Sequence, residues 1–189
     1  MRIAAALGII AAQLATPLFA NEFEPAMLAY LQDNVLPWAS DPVLADAVAA
    51  QNADHAGLDQ AQIDALDATW RAEVGGSDTP MIDAVLSGPA AEFLKAKVEA
   101  SGGVISELFV TDNLGLNVAA SDVTSDYWQG DEEKFTDVFG KGADAVHVGD
   151  VEHDESSQTY QGQVSVPVVD AAGAVIGTMT VGLNAELLF

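Results

Sequence analysis

Val104 to Ser121 reads VISELFVTDNLGLNVAAS, and the fold turns on this stretch. Val104–Thr111 is a β-rich run with both faces partly apolar, and Leu116–Ser121 returns as a second strand. Between them Asp112–Gly115 (DNLG) is turn chemistry. A turn this short joins antiparallel neighbours. The sequence changes character at Gly103, so helices come first and an antiparallel sheet follows.

Upstream the apolar spacing is helical. Leu28, Leu31 and Val35 recur at i, i+3, i+7 until Pro37 interrupts. Asp41-Pro42 has the form of an N-cap and first helical position, with Val43, Leu44, Ala47 and Val48 behind it. Asp59 with Gln62 reads as a capping box ahead of a stripe of Ile63, Leu66, Trp70 and Val74 that Gly75-Gly76 ends. Arg71, four residues after Asp67, reads as half of a surface ion pair on that helix. Thr79-Pro80 opens a short helix, and Gly88-Pro89 resets the chain for another that runs toward Ser101-Gly102-Gly103.

Downstream, Asp131-Glu132-Glu133 suits a helix start, because acids favour the positive end of the helix dipole. Ala145–Val151 is a third short strand and Thr159–Val169 a long one. Asp170–Gly173 (DAAG) repeats the D-x-x-G turn, Ala174–Leu183 closes the sheet, and Glu186–Phe189 is a tail or short helix. Helices segregated from about five antiparallel strands, with one small helix inserted, make a single α+β domain.

The amino-terminal twenty residues stand apart. Arg2, an apolar run from Ile3 to Ala15 and a small residue at Ala20 form the three-part pattern of a secretory signal. The run is shorter than the ~20 residues a spanning helix needs. Residues 1–20 are therefore expected to be a signal peptide and residues 21–189 a periplasmic or secreted domain without membrane insertion. There is no cysteine, so disulfides and thiol chemistry are excluded. With 29 acids against 6 Lys and Arg, nucleic acid and anionic membranes are poor partners, since both require a basic patch. The acidity suits solubility or a cationic partner.

Catalytic signals are weak. The chain lacks a G-x-S-x-G elbow, and His55, His147 and His153 are scattered. The segment GDVEHDE (149–155) is rich in oxygen and nitrogen ligands but fits neither H-E-x-x-H nor the calcium-loop pattern. No metal, cofactor or catalytic residue is expected. The informative segment is TSDYWQGDEEKF (124–135), where two large rings stand side by side among acids in irregular chain. A loop that drapes rings over a sheet, with carboxylates beside them, is a ligand lid, and binding sites are mostly apolar with a few placed polar groups. The candidate binding residues are Asp126, Tyr127, Trp128, Asp131 and Lys134. Rings and carboxylates suit a ligand carrying an amine. Lys134 suits a carboxylate at its other end. The expected ligand is a small zwitterion or a simple carboxylate.

The helices, the stretch Glu107–Ser121, the D-Y-W-x-x-D-E segment and VSVPVVDAAGAVIGTMTVGL (164–183), in this order, resemble the extracytoplasmic Cache (PDC) sensor domains over roughly Ala26–Leu188. That resemblance implies a PAS-like fold, with long N-terminal helices on a five- or six-stranded antiparallel sheet. It also implies a small-molecule pocket between the sheet and the loop and helix after the second strand. It implies a non-enzymatic sensor reporting to a membrane receptor or kinase. Such domains usually sit between transmembrane helices with a cytoplasmic output domain, and neither is legible here. Amino-acid-sensing members place an arginine near the pocket aromatics, where this chain has Lys134. Two alternatives stay open: a hydrolase using Asp126 or Asp131 as acid or base, and a protein-interaction module whose aromatic loop is the recognition element. N-terminal sequencing of exported material is expected to read from Asn21; retention of Met1 in a membrane fraction would overturn the signal assignment.

Overall fold

The computed structural model describes residues 22–154 and 159–189. The expected signal peptide lies outside the described residues. The chain opens with α1 (Glu24–Tyr30), which does not stop at Pro37 but changes pitch. It widens to a π turn over Leu31–Val35 and tightens to a 3-10 turn over Leu36–Trp38. Proline has no N–H to continue an α-helical ladder, so the altered hydrogen-bond register accommodates it. Then come α2 (Pro42–Asp54), α3 (Gln60–Glu73), α4 (Pro80–Val85) and α5 (Gly88–Ala100). Asp41 caps α2 by accepting from Val43 N at 3.0 Å. The box at α3 is reciprocal: Asp59 Oδ1 accepts from Gln62 N and Gln62 Oε1 accepts from Asp59 N, both at 3.0 Å.

Helix α4 is capped from a distance. Its N-cap Thr79 makes no cap bond with its side chain. Instead Glu73, at the end of α3, accepts from Met81 N and Ile82 N at 2.9 Å. A buried carboxylate from the preceding helix thus satisfies the orphan amides of the next one and fixes the α3–α4 corner.

The sheet contains β1 (Ile105–Thr111), β2 (Asn117–Ala120), β3 (His147–Val148), β4 (Glu152–Asp154), β5 (Thr159–Val169) and β6 (Val175–Asn184), with a small helix α6 (Glu133–Thr136) between β2 and β3. All pairings are antiparallel in the order β2-β1-β6-β5-β3, with β4 also on β5. The fold is α+β, helices on a six-stranded antiparallel sheet, as the resemblance implies. The strand expected over Ala145–Val151 shortens to His147–Val148, and β4 follows beyond that range. His147–Val148 faces Ser165–Val164 and Glu152–Asp154 faces Gln161–Thr159, so residues 149–151 span only two partners, 162 and 163. The extra residue is a bulge that bends this edge.

Alternation along the strands gives the sheet two different faces. Leu108, Val110, Val164, Val166, Val168, Met179, Val181 and Leu183 form the first, covered by Met27, Leu31 and Val35 of the opening helix, Leu44 and Val48 of α2, and Leu94 of α5. The second is mixed. Toward β2 it is apolar: Phe109, Leu116 and Ala120 pack with Ile63 and Trp70 of α3, Ile82 and Val85 of α4, and Tyr127. Toward β5 it is polar. Thr111, Ser165, Thr178 and Thr180 are buried there as hydroxyl pairs, Thr111 with Thr178 at 2.7 Å and Ser165 with Thr180 at 2.9 Å. Gln163 Nε2 donates to Glu107 Oε1 at 2.6 Å on the same side. Among the described residues no helix is long and apolar enough to cross a membrane.

Replacing Glu73 by Ala leaves two amides of α4 without their acceptor and should lower stability by about 1–3 kcal/mol. Urea denaturation measures this, with Glu73→Gln expected to recover part of the loss. An unchanged midpoint in Glu73→Ala would refute the capping role.

Candidate ligand-binding site

The site begins with the β1–β2 turn. Asp112 Oδ1 accepts from Leu114 N and Leu116 N at 2.9 Å, and Gly115 N donates to Asp112 O at 3.1 Å. The DAAG turn repeats this geometry, with Asp170 Oδ1 accepting from Ala172 N and Ala174 N at 2.9 Å. The first turn is used further. Asp112 is fully buried, and its Oδ2 accepts from Gln51 Nε2 at 3.0 Å and lies 2.7 Å from His55 Nδ1. Gln51 and His55 thereby tie the end of α2 to the turn.

Against this turn lies the segment 126–130. Trp128 bridges to Leu116, Gln129 N donates to Gly115 O at 2.8 Å, and Trp128 Nε1 donates to Leu114 O at 2.9 Å. The indole folds back across Gly130, where any side chain would meet both the ring and the Leu114 carbonyl. That contact explains the glycine two residues after the rings.

Asp67 on α3 clamps the same segment from the other side. It is 8 % exposed and its Oδ1 accepts from Tyr127 N at 2.9 Å and Trp128 N at 3.1 Å. Arg71 joins Asp67 at 2.7 Å and reaches on to Asp126 at 2.9 Å. The Asp67–Arg71 pair is therefore not the simple surface pair that its i,i+4 spacing suggests. Only Arg71 is well exposed, and Asp67 spends one oxygen on backbone 60 residues away. Tyr127, 5 % exposed, stacks on Trp70 with centroids 5.5 Å apart. Burial raises the pKa of its hydroxyl, the charge of Asp112 adds to this and a bond from Gln51 offsets part of it, so the phenol stays protonated.

Immediately after this anchored segment the chain crosses to the polar half of the sheet. Here an open cleft of about 690 Å³ is lined by Asp131, Glu132, Glu133 and Lys134 on one wall, by His147, Gly149, Asp150, Glu152 and His153 on the other, and by Gln161 and Gln163 on the sheet. Lys134 is its only Lys or Arg, against five carboxylates. Its ammonium pairs with Glu132 at 3.0 Å and lies 5.7 Å from the centre of the Phe109 ring. His147 Nδ1 faces Asp137 at 3.4 Å. Phe135 and Val138 bury themselves beneath, holding α6 in place.

Of the five candidate residues, the structure brings Asp131 and Lys134 to the cleft and places Asp126, Tyr127 and Trp128 outside its lining. Asp126 is held by Arg71, Tyr127 belongs to the second core, and Trp128 packs against that core. Asp131 is not the cap of α6, because that position falls on Glu132, whose side chain makes no cap bond. Sequence reasoning left out Glu132, Asp150, Glu152, His147, Gln161 and Gln163. The acid-rich run of 149–155 was the available signal, and two of its acids, Asp150 and Glu152, line the cleft. Among the described residues no group of three or more His, Cys, Asp or Glu is arranged to hold a metal ion.

No protein-family model and no curated protein matches this chain. Solved structures do. The sensor domain of the Vibrio cholerae histidine kinase DctB is 16 % identical, with a TM-score of 0.48 over 88 % of this chain and 53 % of that one. The Escherichia coli DcuS sensor domain is 14 % identical, with a TM-score of 0.39 over 78 % and 96 %. An extracellular ligand binding receptor from Desulfohalobium retbaense is 14 % identical, with a TM-score of 0.41 over 77 % and 25 %. By their names these are sensor and receptor domains. The chain spans about half the length of the first of them. What the cleft binds is argued from its own residues.

Asp67→Ala removes the acceptor of two backbone amides and leaves Asp126 with a displaced Arg71. It should cost about 2–4 kcal/mol. Asp67→Asn keeps an acceptor and should cost less. Urea titration followed by tryptophan fluorescence reads both, and equal, negligible losses would show that the clamp does not hold the segment.

Proposed function

We propose that this chain is an exported, non-enzymatic sensor domain that binds a small amine-bearing molecule in the cleft between α6 and the β3–β5 edge. Its bound state is read by a separate membrane receptor or kinase. The observation that carries the reading is the cleft itself: five carboxylates around one lysine, beside a sheet face whose buried hydroxyls pair with one another and whose Gln163 donates to Glu107. Such a surface attracts a positive group and offers Lys134 as the one anchor for a carboxylate. A zwitterion fits first and a simple carboxylate second.

The interaction-module alternative loses its exposed rings, and the hydrolase alternative loses one of its two carboxylates. An aromatic recognition loop requires exposed rings, and here Tyr127 is stacked on Trp70 while the Trp128 indole is bonded to Leu114. A hydrolase drawing on Asp126 would need that carboxylate free, and Arg71 holds it. Periplasmic or secreted residence follows from the signal reading of residues 1–20.

A thermal-shift screen of amino acids, amines and small carboxylates on residues 21–189 should yield a ligand that raises the melting temperature, since binding to the folded state alone stabilises it. Calorimetry should then show Lys134→Ala and Asp131→Ala each weakening binding about tenfold, the scale of one charged hydrogen bond. A ligand whose affinity neither change affects would place the site elsewhere. Hydrolysis of an ester, phosphate or glycoside that Asp131→Asn abolishes would replace the sensor reading with an enzymatic one.

A further inference from the structure

The edge of β5 loses its cover at one place, and a second cavity opens there, lined by different residues from the acidic cleft. His147 of β3 pairs with Ser165, and Gly149 N donates to Gln163 O at 2.8 Å. The backbone groups of residues 163, 165 and 167 therefore all face the β3 side. The next pair in that register would be Ala145 with Pro167. It does not form, because proline has no N–H to donate and Ala145 N turns instead to Gly142 O at 3.3 Å. Two residues on, Val169 N donates to Ala39 O at 3.2 Å and the edge is closed again. Between the two closures residues 143–146 leave the sheet, and a groove of about 230 Å³ remains. Leu36, Ala39 and Val146 stand at its sides, with Val166, Pro167 and Val169 of β5 between them.

We propose that this groove binds a small uncharged ring carrying an N–H or O–H, of the indole or phenol class, with that donor on the Pro167 carbonyl. The proposal is independent of the reading of the acidic cleft. Size, charge and polar complement each select this chemistry. An apolar cavity of about 150 Å³ already holds benzene, so a substituted or fused ring suits the larger groove. The polar side chains in the lining are Ser40 and Asp144, and Asp144 is exposed, so an ammonium gains little here. An anion is repelled by a chain of formal charge −23. Among the described residues no backbone amide opposite reaches the Pro167 carbonyl, which stays open to a ligand donor. Leu36 and Val146, each 42 % exposed, are the apolar surface that a ring would cover. A mostly apolar wall with one fixed polar group is the usual composition of a small-molecule site.

Pro167 has a second task in this arrangement. It keeps the groove open, because any residue with an N–H at that position would let the ladder continue from His147 to Ala145 and draw residues 143–146 over the floor.

The test is an NMR titration of the isotope-labelled protein with indole, phenol, toluene, benzylamine and benzoate, each taken singly. Indole or phenol should shift the amides of Ala143, Val146 and Val169 saturably. Toluene should bind at the same amides about three- to tenfold more weakly, since it lacks the donor. Benzylamine and benzoate should be weaker still. Leu36→Asp, a change at an exposed position, should weaken indole binding about tenfold or more with little change in melting temperature. Pro167→Ala should also weaken it, and hydrogen exchange should show a protected amide at residue 167 as β3 lengthens. If Pro167→Ala does not fold, Leu36→Asp and the comparison of toluene with indole decide. Absence of saturable shifts at these amides would overturn the proposal, as would toluene, benzylamine or benzoate matching indole. Indole affinity unchanged in Leu36→Asp would overturn it equally.

Discussion

One carboxylate fixes how the second face of the sheet is covered. Asp67 accepts from two successive amides, those of Tyr127 and Trp128, while Arg71 braces it from behind and holds Asp126. The segment it holds is irregular, so its backbone groups have no ladder to satisfy them and must find partners singly. With this clamp in place Tyr127 drops onto Trp70 and Trp128 onto the β1–β2 turn, and the chain leaves Gly130 aimed at the polar half of the sheet.

The division of that face follows from composition along the strands. Phe109, Leu116 and Ala120 require apolar cover, and α3, α4 and Tyr127 supply it. Thr111, Ser165, Thr178 and Thr180 need no outside partner once they bond to each other. The polar half therefore tolerates a shallow cover by α6, anchored by Phe135 and Val138, and an open cleft beside it. The bulge at residues 149–151 completes the cleft by bending the outer edge, which brings Asp150 and Glu152 opposite Asp131 and Glu133.

Charge sets the chemistry of the cleft. A chain with formal charge −23 presents carboxylates nearly everywhere, so an acid in a pocket carries little information by itself. Lys134 carries more, because it is the cleft's single Lys or Arg and is held between a carboxylate and an aromatic ring. Its position makes the site two-signed in a surface of one sign, and a two-signed site is what a zwitterion requires.

Much of this was legible in the residues. The capping box at Asp59, the Asp41-Pro42 start, both D-x-x-G turns and the order of helices before strands rest on contacts within a few positions, which sequence spacing encodes directly. Strand β5 ran from Thr159 to Val169 as its composition indicated, because a long β-branched run between turn signals has few alternatives. The site was legible only in part. Asp131 and Lys134 reached the cleft, but adjacent rings at 127 and 128 look the same in sequence whether they line a pocket or close a core. Their placement depended on Asp67, 60 residues earlier, and on a fully buried Trp70. Likewise Glu73 caps a helix whose own Thr79 looked sufficient, and the strand at the sheet edge stopped at Val148 because pairing counts residues on both strands. The sequence by itself determined the elements and their order, since those follow from local bonding and periodicity. Tertiary structure alone decided which polar groups find partners across the chain, and hence which aromatic rings are structural and which carboxylates face the cleft.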